Sequence, residues 1–136
     1  MSHSAQRRTG VREVAWDDWV CSINGERLHL KGTNLLPLGP FIANVGDALC
    51  DEQVRAMVEV GLDVVRVNAH LAPSSVYDAA DRRGLLVMQD FWMVGPQSRQ
   101  IRPRAVAAAR DMVDALAHHP SIISWSAHDE PDGPWD

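Results

Sequence analysis

The sequence predicts an α/β fold built on a parallel sheet. Strand-like and helix-like patterns alternate as β-α-β-α-β-α-β from Leu28 to Trp125. The strand candidates Val64-Val65-Arg66-Val67-Asn68 and Leu85-Leu86-Val87-Met88 are β-branched or continuously apolar, as strands covered on both faces are. Gly61 and Gly84 close the first two helical patterns just before the next strand, so the turns between them are short.

The elements follow in order. Residues 1–9 are polar and read as a frayed end, and Val11 to Trp19 reads as a short strand or a linker. Asn24-Gly25 is a hairpin turn signal between Trp19–Ile23 and Leu28–Leu30. Leu28 to Gly32 then reads as the first strand of the alternation. A loop from Thr33 to Leu49 follows, and loops of that length in a compact domain are usually functional.

Asp51 is the expected N-cap of the first helix, whose buried stripe is Val54, Met57, Val58 and Leu62. Ser75 and Asp78 have the spacing of a capping box for the second helix, with Val76, Ala79 and Ala80 facing inward. Arg82 and Arg83 sit in its last turn, where the helix dipole favours cations. Pro103 suits the first turn of the third helix. Val106, Ala109, Val113, Leu116 and Ala117 form its stripe, and His118 and His119 are expected as cations at its end. Pro120 stops it, and Ile122 to Trp125 is the fourth strand.

Composition narrows the function. The 136 residues suit one domain, with 46% hydrophobic and 23% charged side chains, a globular balance. A net charge of −5 gives no basic footprint for nucleic acid or an anionic membrane. No apolar run approaches the roughly 20 residues of a membrane span. Met1 to Arg8 has no apolar stretch of a secretory signal after its arginines, and a cytoplasmic location is expected. Cys21 and Cys50 stand apart and are expected as reduced, packed thiols.

Ligand sites in parallel α/β folds lie at the carboxyl ends of the strands. Here those ends carry Thr33-Asn34, then Asn68 and His70, then Gln89-Asp90-Phe91-Trp92, then Ser126, His128, Asp129 and Glu130. These residue types suit a hydroxylated ligand. No GxGxxG, Walker or GxSxG motif is present, which removes the commonest nucleotide and acyl-transfer readings. His128, Asp129 and Glu130 are metal-ligating types, but adjacent residues rarely converge on one ion, and no metal or cofactor is expected. Trp92 and Trp135 could stack on a pyranose ring.

Several stretches together resemble family 2 glycoside hydrolases. Ile23-Asn24-Gly25 with Leu30-Lys31-Gly32-Thr33-Asn34 is similar to that family's entry to its catalytic barrel. Val64-Val65-Arg66 with His70 resembles its second-strand motif, and Tyr77-Asp78, Asp81 and Gly84-Leu85-Leu86-Val87 its next helix and strand. His119-Pro120-Ser121-Ile122-Ile123-Ser124-Trp125-Ser126, ending at Glu130, resembles the segment that carries the acid/base. Gln89-Asp90-Phe91 looks like the β-mannosidase branch, whereas His70 looks more like the β-galactosidase and β-glucuronidase branches.

The resemblance implies the first four β/α units of a TIM-type (β/α)8 barrel, occupying residues 20–136 after an N-terminal tail and linker of residues 1–19 from a preceding domain. It implies hydrolysis of β-linked sugars by a retaining two-carboxylate mechanism. Glu130 takes the position of the acid/base, and Asn34, Arg66, His70, Asp90, Trp92 and Asp129 line the sugar site. The family has asparagine where this chain has Asp129, replacing a donor amide by an acceptor-only carboxylate. The family's nucleophile, a glutamate ending the seventh strand, has no counterpart in these residues, since a full barrel takes about 250. The chain alone is therefore expected to be inactive. The expected partner is a carbohydrate substrate, with neither nucleic acid nor membrane. The alternative is a non-catalytic half-barrel that binds carbohydrate or self-associates through open sheet edges.

Overall fold

The computed structural model describes residue 4 and residues 6–130; Trp135 lies outside them. Two sheets are present. Val14–Asp17 (β1), Val20–Ile23 (β2) and Glu26–Leu28 (β3) form an antiparallel sheet in the order β1-β2-β3. Asn24 and Gly25 turn β2 into β3 with φ of 52° and 80°, the left-handed pair that a type I′ turn requires. Asp18 and Trp19 adopt the same pair, at 41° and 70°, without a glycine to announce it. This turn falls where the sequence reading ends its linker, and β1 pairs across it with β2.

Gly32–Leu35 (β4), Asp47–Glu59 (α1), Val64–Val67 (β5), Ser74–Arg83 (α2), Leu86–Asp90 (β6), Arg102–Leu116 (α3) and Ile122–Ser126 (β7) complete the chain, with single 3-10 turns at Ile42–Asn44 and Arg99–Ile101. The strands β4 to β7 lie side by side in sequence order, all parallel. The predicted α/β fold with a parallel sheet is thus the observed one.

Three local expectations change. The first parallel strand begins at Gly32, because Leu28 is used by the hairpin. A Cβ at Gly32 would meet the Val64 carbonyl oxygen at 2.7 Å, so the close approach of β4 to β5 requires glycine there. Helix α1 begins one turn earlier than Asp51, after Gly46. Asp51 instead reaches across to α2, pairing with Arg82 at 3.1 Å and Arg83 at 2.6 Å. No capping box forms on α2: Pro73 occupies the cap, and the Ser75 hydroxyl is buried without a hydrogen bond. Gly61 and Gly84 do end their helices with φ of 82° and 73°. Pro103 lies in the first turn of α3.

One apolar core joins the sheet to the helices. Leu35, Val65, Val67, Val87 and Ile122 face Cys50 and Val54 of α1, Val76, Ala79 and Ala80 of α2, and Met112 and Leu116 of α3. All three helices therefore share one face of the sheet. Sequential strand order with helices on one side is the winding of α/β barrels, whereas doubly wound sheets reverse order at a switch point. The opposite face presents the register row Asn34, Arg66, Met88 and Ser124. Both cysteines are buried and free. No helix among the described residues is long and apolar enough to cross a membrane.

Candidate active site at the carboxyl ends of the parallel strands

Arg66 is the hub of the site. Strand alternation turns Val65 and Val67 into the core and leaves Arg66 on the opposite face, one third exposed. Its Nε donates to Asp90 Oδ1 at 3.0 Å and its Nη2 lies 2.7 Å from Asp90 Oδ2, a two-pronged grip on a carboxylate that is 1% exposed. The same Nη2 donates to Asp129 Oδ1 at 2.6 Å. Asn68 adds a second clamp, its Nδ2 donating to Asp90 Oδ2 at 3.2 Å and to Asp129 Oδ2 at 3.1 Å. The backbone N–H of Ala69 completes the shell of Asp90 at 3.4 Å. These bonds join the ends of β5 and β6 to the segment after β7.

Two carboxylates on one guanidinium set the charge state. The hydrogen bond from Arg66, then that from Asn68, holds the Asp129 carboxyl below the usual carboxylate range. The Arg66 guanidinium is correspondingly shifted up, through Asp90 first and Asp129 second, so it stays charged.

The segment carrying Glu130 is latched to the loop after β6. Asp129 N–H donates to Met93 at 2.9 Å, Gly95 N–H donates to Asp129 at 3.0 Å, and the ring Nε2–H of His128 donates to the Gly95 carbonyl at 2.6 Å. Glu130 follows with φ of 49°, a left-handed conformation rare for a residue with a side chain, and is exposed. Ala69, at the other side of the cluster, shares that conformation with φ of 54°. Such backbone tends to gather at functional sites.

A second network lies beneath. Tyr77 of α2 donates to Gln89 Oε1 at 2.6 Å and accepts from the Ala72 N–H at 3.2 Å. Gln89 Nε2 donates to the carbonyls of His70 at 2.9 Å and Asp90 at 2.6 Å. The ring of His70 is held from Nδ1 to the Asn68 carbonyl at 2.9 Å. Tyr77 and Gln89 are fully buried, so they fix the loop that bears His70 from below.

The sequence-predicted residues divide accordingly. Arg66, Asp90 and Asp129 are brought into direct contact. Asp90 is the buried anchor of the group rather than an exposed ligand contact. Asn34 is exposed beside Arg66 in register, His70 is half-buried, and Trp92 is 44% exposed on the loop after β6. Asn68 and the Tyr77–Gln89 pair are absent from the sequence-predicted site, although Asn68 and Gln89 stand at strand ends where such residues gather.

His119 follows the end of α3 but turns inward. It is buried, with Nδ1 2.6 Å from Asp81 of α2, and Asp81 also accepts the Ser121 N–H at 2.9 Å. This pair shapes the turn into β7. Asp78, Asp81 and His119 bring possible metal-ligating atoms within 4.8 Å of one another, but they lie at the opposite end of β7 from Glu130.

No protein-family model matches the chain. Relatives by sequence are β-mannosidases: β-mannosidase A of Aspergillus terreus is 29% identical over 118 residues, 82% of this chain and 13% of that protein. By fold, the β-D-mannosidase of Dictyoglomus thermophilum matches 86% of this chain and 16% of its own, with a TM-score of 0.78 at 24% identity. The β-glucuronidase of Bifidobacterium dentium matches 93% of this chain and 22% of its own, with a TM-score of 0.83 at 24% identity. The chain thus spans about 13% of the length of curated relatives such as this one. Over most of its length the chain is homologous to one segment of the β-mannosidases, and the resemblance to family 2 glycoside hydrolases read from its motifs holds in both sequence and fold.

Proposed function

We propose that this chain supplies the acid/base half of a retaining β-glycosidase site, as the first four β/α units of a TIM-type barrel. One observation carries the reading. Glu130, in a chain homologous to β-mannosidases, stands at the carboxyl end of β7 beside a carboxylate that Arg66 and Asn68 tie to the ends of β5 and β6. In this role Glu130 protonates the leaving oxygen and then takes a proton from the incoming water. Asp129 and Arg66 set the position of the backbone that carries it. Asn34, His70 and Trp92 offer polar and aromatic surface around it for a sugar ring. In this reading the barrel starts at β4, and the antiparallel sheet of β1 to β3 leads into it.

The nucleophile of a retaining mechanism is then supplied by chain outside these residues, so the 136-residue chain alone should not turn over an aryl β-glycoside. Turnover by the purified chain that Glu130→Gln leaves unchanged would defeat the assignment. A second reading is favoured by one observation: among the described residues β4 and β7 each pair on one side only, leaving two open edges. In that reading the half-barrel binds carbohydrate without cleaving it, or closes its edges by self-association. A dimer by sedimentation, together with sugar binding insensitive to Glu130→Gln, would favour it.

A further inference from the structure

We propose that His128 is a positioning residue of this site, a role that rests on the glycosidase reading above. Its ring holds the loop that carries Trp92 against the segment that carries Glu130, and so governs sugar binding rather than proton transfer.

The pairing of β6 with β7 continues past the strands, but unevenly. Asp90 lies opposite Ser126, and Val94 lies opposite Asp129. Between those two points one side has Phe91, Trp92 and Met93, and the other only Ala127 and His128. The extra residue makes a bulge, and bulges re-aim side chains beside functional sites. Phe91 anchors one end of it. Its N–H donates to the Ser126 carbonyl at 2.9 Å, and its ring stacks on Trp125 with centroids 6.0 Å apart. Trp92 comes next, is exposed, and among the described residues makes no hydrogen bond. Its position therefore depends on how the far end of the bulge is held.

His128 acts at that far end. Among the described residues, residues 92–95 have three hydrogen bonds to chain outside their loop. Two are backbone bonds with Asp129, Met93 accepting at 2.9 Å and Gly95 donating at 3.0 Å. The third runs from His128 Nε2–H to the Gly95 carbonyl and is the shortest, at 2.6 Å. A carbonyl only accepts, so Nε2 carries the proton. The segment with Glu130 is less dependent on this bond. Asp129 shares the two backbone bonds, and Arg66 and Asn68 also grip its carboxylate at 2.6 and 3.1 Å. Losing the ring bond thus frees the loop more than it frees Glu130. Trp92 offers surface already in the bound ground state, whereas Glu130 acts on the proton in the transition state. The loss should therefore appear in KM and spare kcat.

The test uses the reading frame that carries this chain, extended until it hydrolyses an aryl β-glycoside. There kcat and KM are measured for His128→Ala, His128→Gln, Trp92→Ala and the double variant His128→Ala/Trp92→Ala. His128→Ala should raise KM about fivefold, the order of one hydrogen bond, with kcat within about twofold. His128→Gln keeps an N–H donor on a side chain of similar reach, so it should restore most of the lost affinity. Trp92→Ala should raise KM at least as much. Adding His128→Ala to it should raise KM no further, because the ring acts through Trp92. A change that merely destabilised the fold would lower kcat through loss of folded enzyme and leave KM alone. A fall in kcat at constant KM, or additive KM effects in the double variant, overturns the proposal and leaves the Glu130 assignment standing. Trp92 is exposed, so its variant carries little folding risk, and an unchanged KM in Trp92→Ala overturns the proposal as well. Hydrolysis that Glu130→Gln leaves unchanged removes the glycosidase reading beneath it.

Discussion

Replacing Arg66 by methionine tests the charge cluster directly. Asp90 is 1% exposed and accepts from Arg66 Nε at 3.0 Å, with Nη2 at 2.7 Å. After the substitution its remaining donors are neutral and longer, Asn68 at 3.2 Å and Ala69 at 3.4 Å. Removing one partner of a buried ion pair costs about 3–5 kcal/mol, because the other charge is left unpaired in low dielectric. Arg66 is one third exposed, so water screening brings the expected loss to about 2–3 kcal/mol. In urea at pH 7 that lowers the unfolding midpoint by about 1–2 M. Arg66→Lys should fall between, since a point charge cannot grip both oxygens and reach Asp129 as well. In a double-mutant cycle, Asp90→Asn should relieve much of the Arg66→Met penalty. A loss below about 0.5 kcal/mol in Arg66→Met, or no coupling to Asp90, would refute the view that this pair holds the strand ends together.

Other expectations follow from the same contacts. Tyr77 is the only tyrosine, and burial pushes its phenol up to about 12, so absorbance titration should show no tyrosinate near pH 10. Because the unfolded phenol ionises first, stability should decline with rising pH between about 10 and 12. A midpoint near 10 in the folded chain would contradict the buried bond to Gln89. Asp129, held below the usual carboxylate range by Arg66 and Asn68, contributes stability that is present above its unfolded value of about 3.9 and lost as pH falls through its lower folded value. Acid unfolding of Asp129→Asn should lack that part of the slope below about pH 4, and identical acid curves would argue against the clamp. Gly32→Ala should cost about 1–3 kcal/mol in thermal unfolding, since its Cβ meets backbone 2.7 Å away; a neutral result would mean that β4 can shift.

Much of the fold could be read from residues whose signals are local. The apolar runs at Val64 and Leu86, the glycines at 61 and 84 and the proline at 103 each act within a turn of themselves, and each marks the element expected. What escaped depends on distant partners. Val11 to Trp19 stays open between strand and linker in the sequence, and pairing with β2 through a turn at Asp18-Trp19 that has no glycine makes Val14–Asp17 a strand. Ser75 has capping-box spacing, but its hydroxyl is buried where a cap would need it at the helix end. His119 reads as a helix-end residue, and its partner Asp81, 38 positions away, comes only with the fold.

The site divides in the same manner. Strand-end position points to Asp90 and Asp129, and the resemblance at Val64-Val65-Arg66 adds Arg66. Which of them faces solvent could not be read, because Asp90 and Asp129 differ only in the packing around them. Asn68 is legible only as one of the polar residues at the strand ends, because a lone amide two positions after an arginine carries no motif of its own. Its role comes from bridging two carboxylates 22 and 61 positions away.

The most direct test of the central claim uses the reading frame that carries this chain, extended far enough to give measurable hydrolysis of an aryl β-glycoside. In that protein Glu130→Ala is assayed on an activated aryl β-glycoside with sodium azide present. If Glu130 is the acid/base of a retaining mechanism, azide should restore turnover and yield the β-configured glycosyl azide, because the small anion attacks the glycosyl-enzyme without needing a general base. Unimpaired hydrolysis in Glu130→Ala, or an α-configured azide product, would contradict the account.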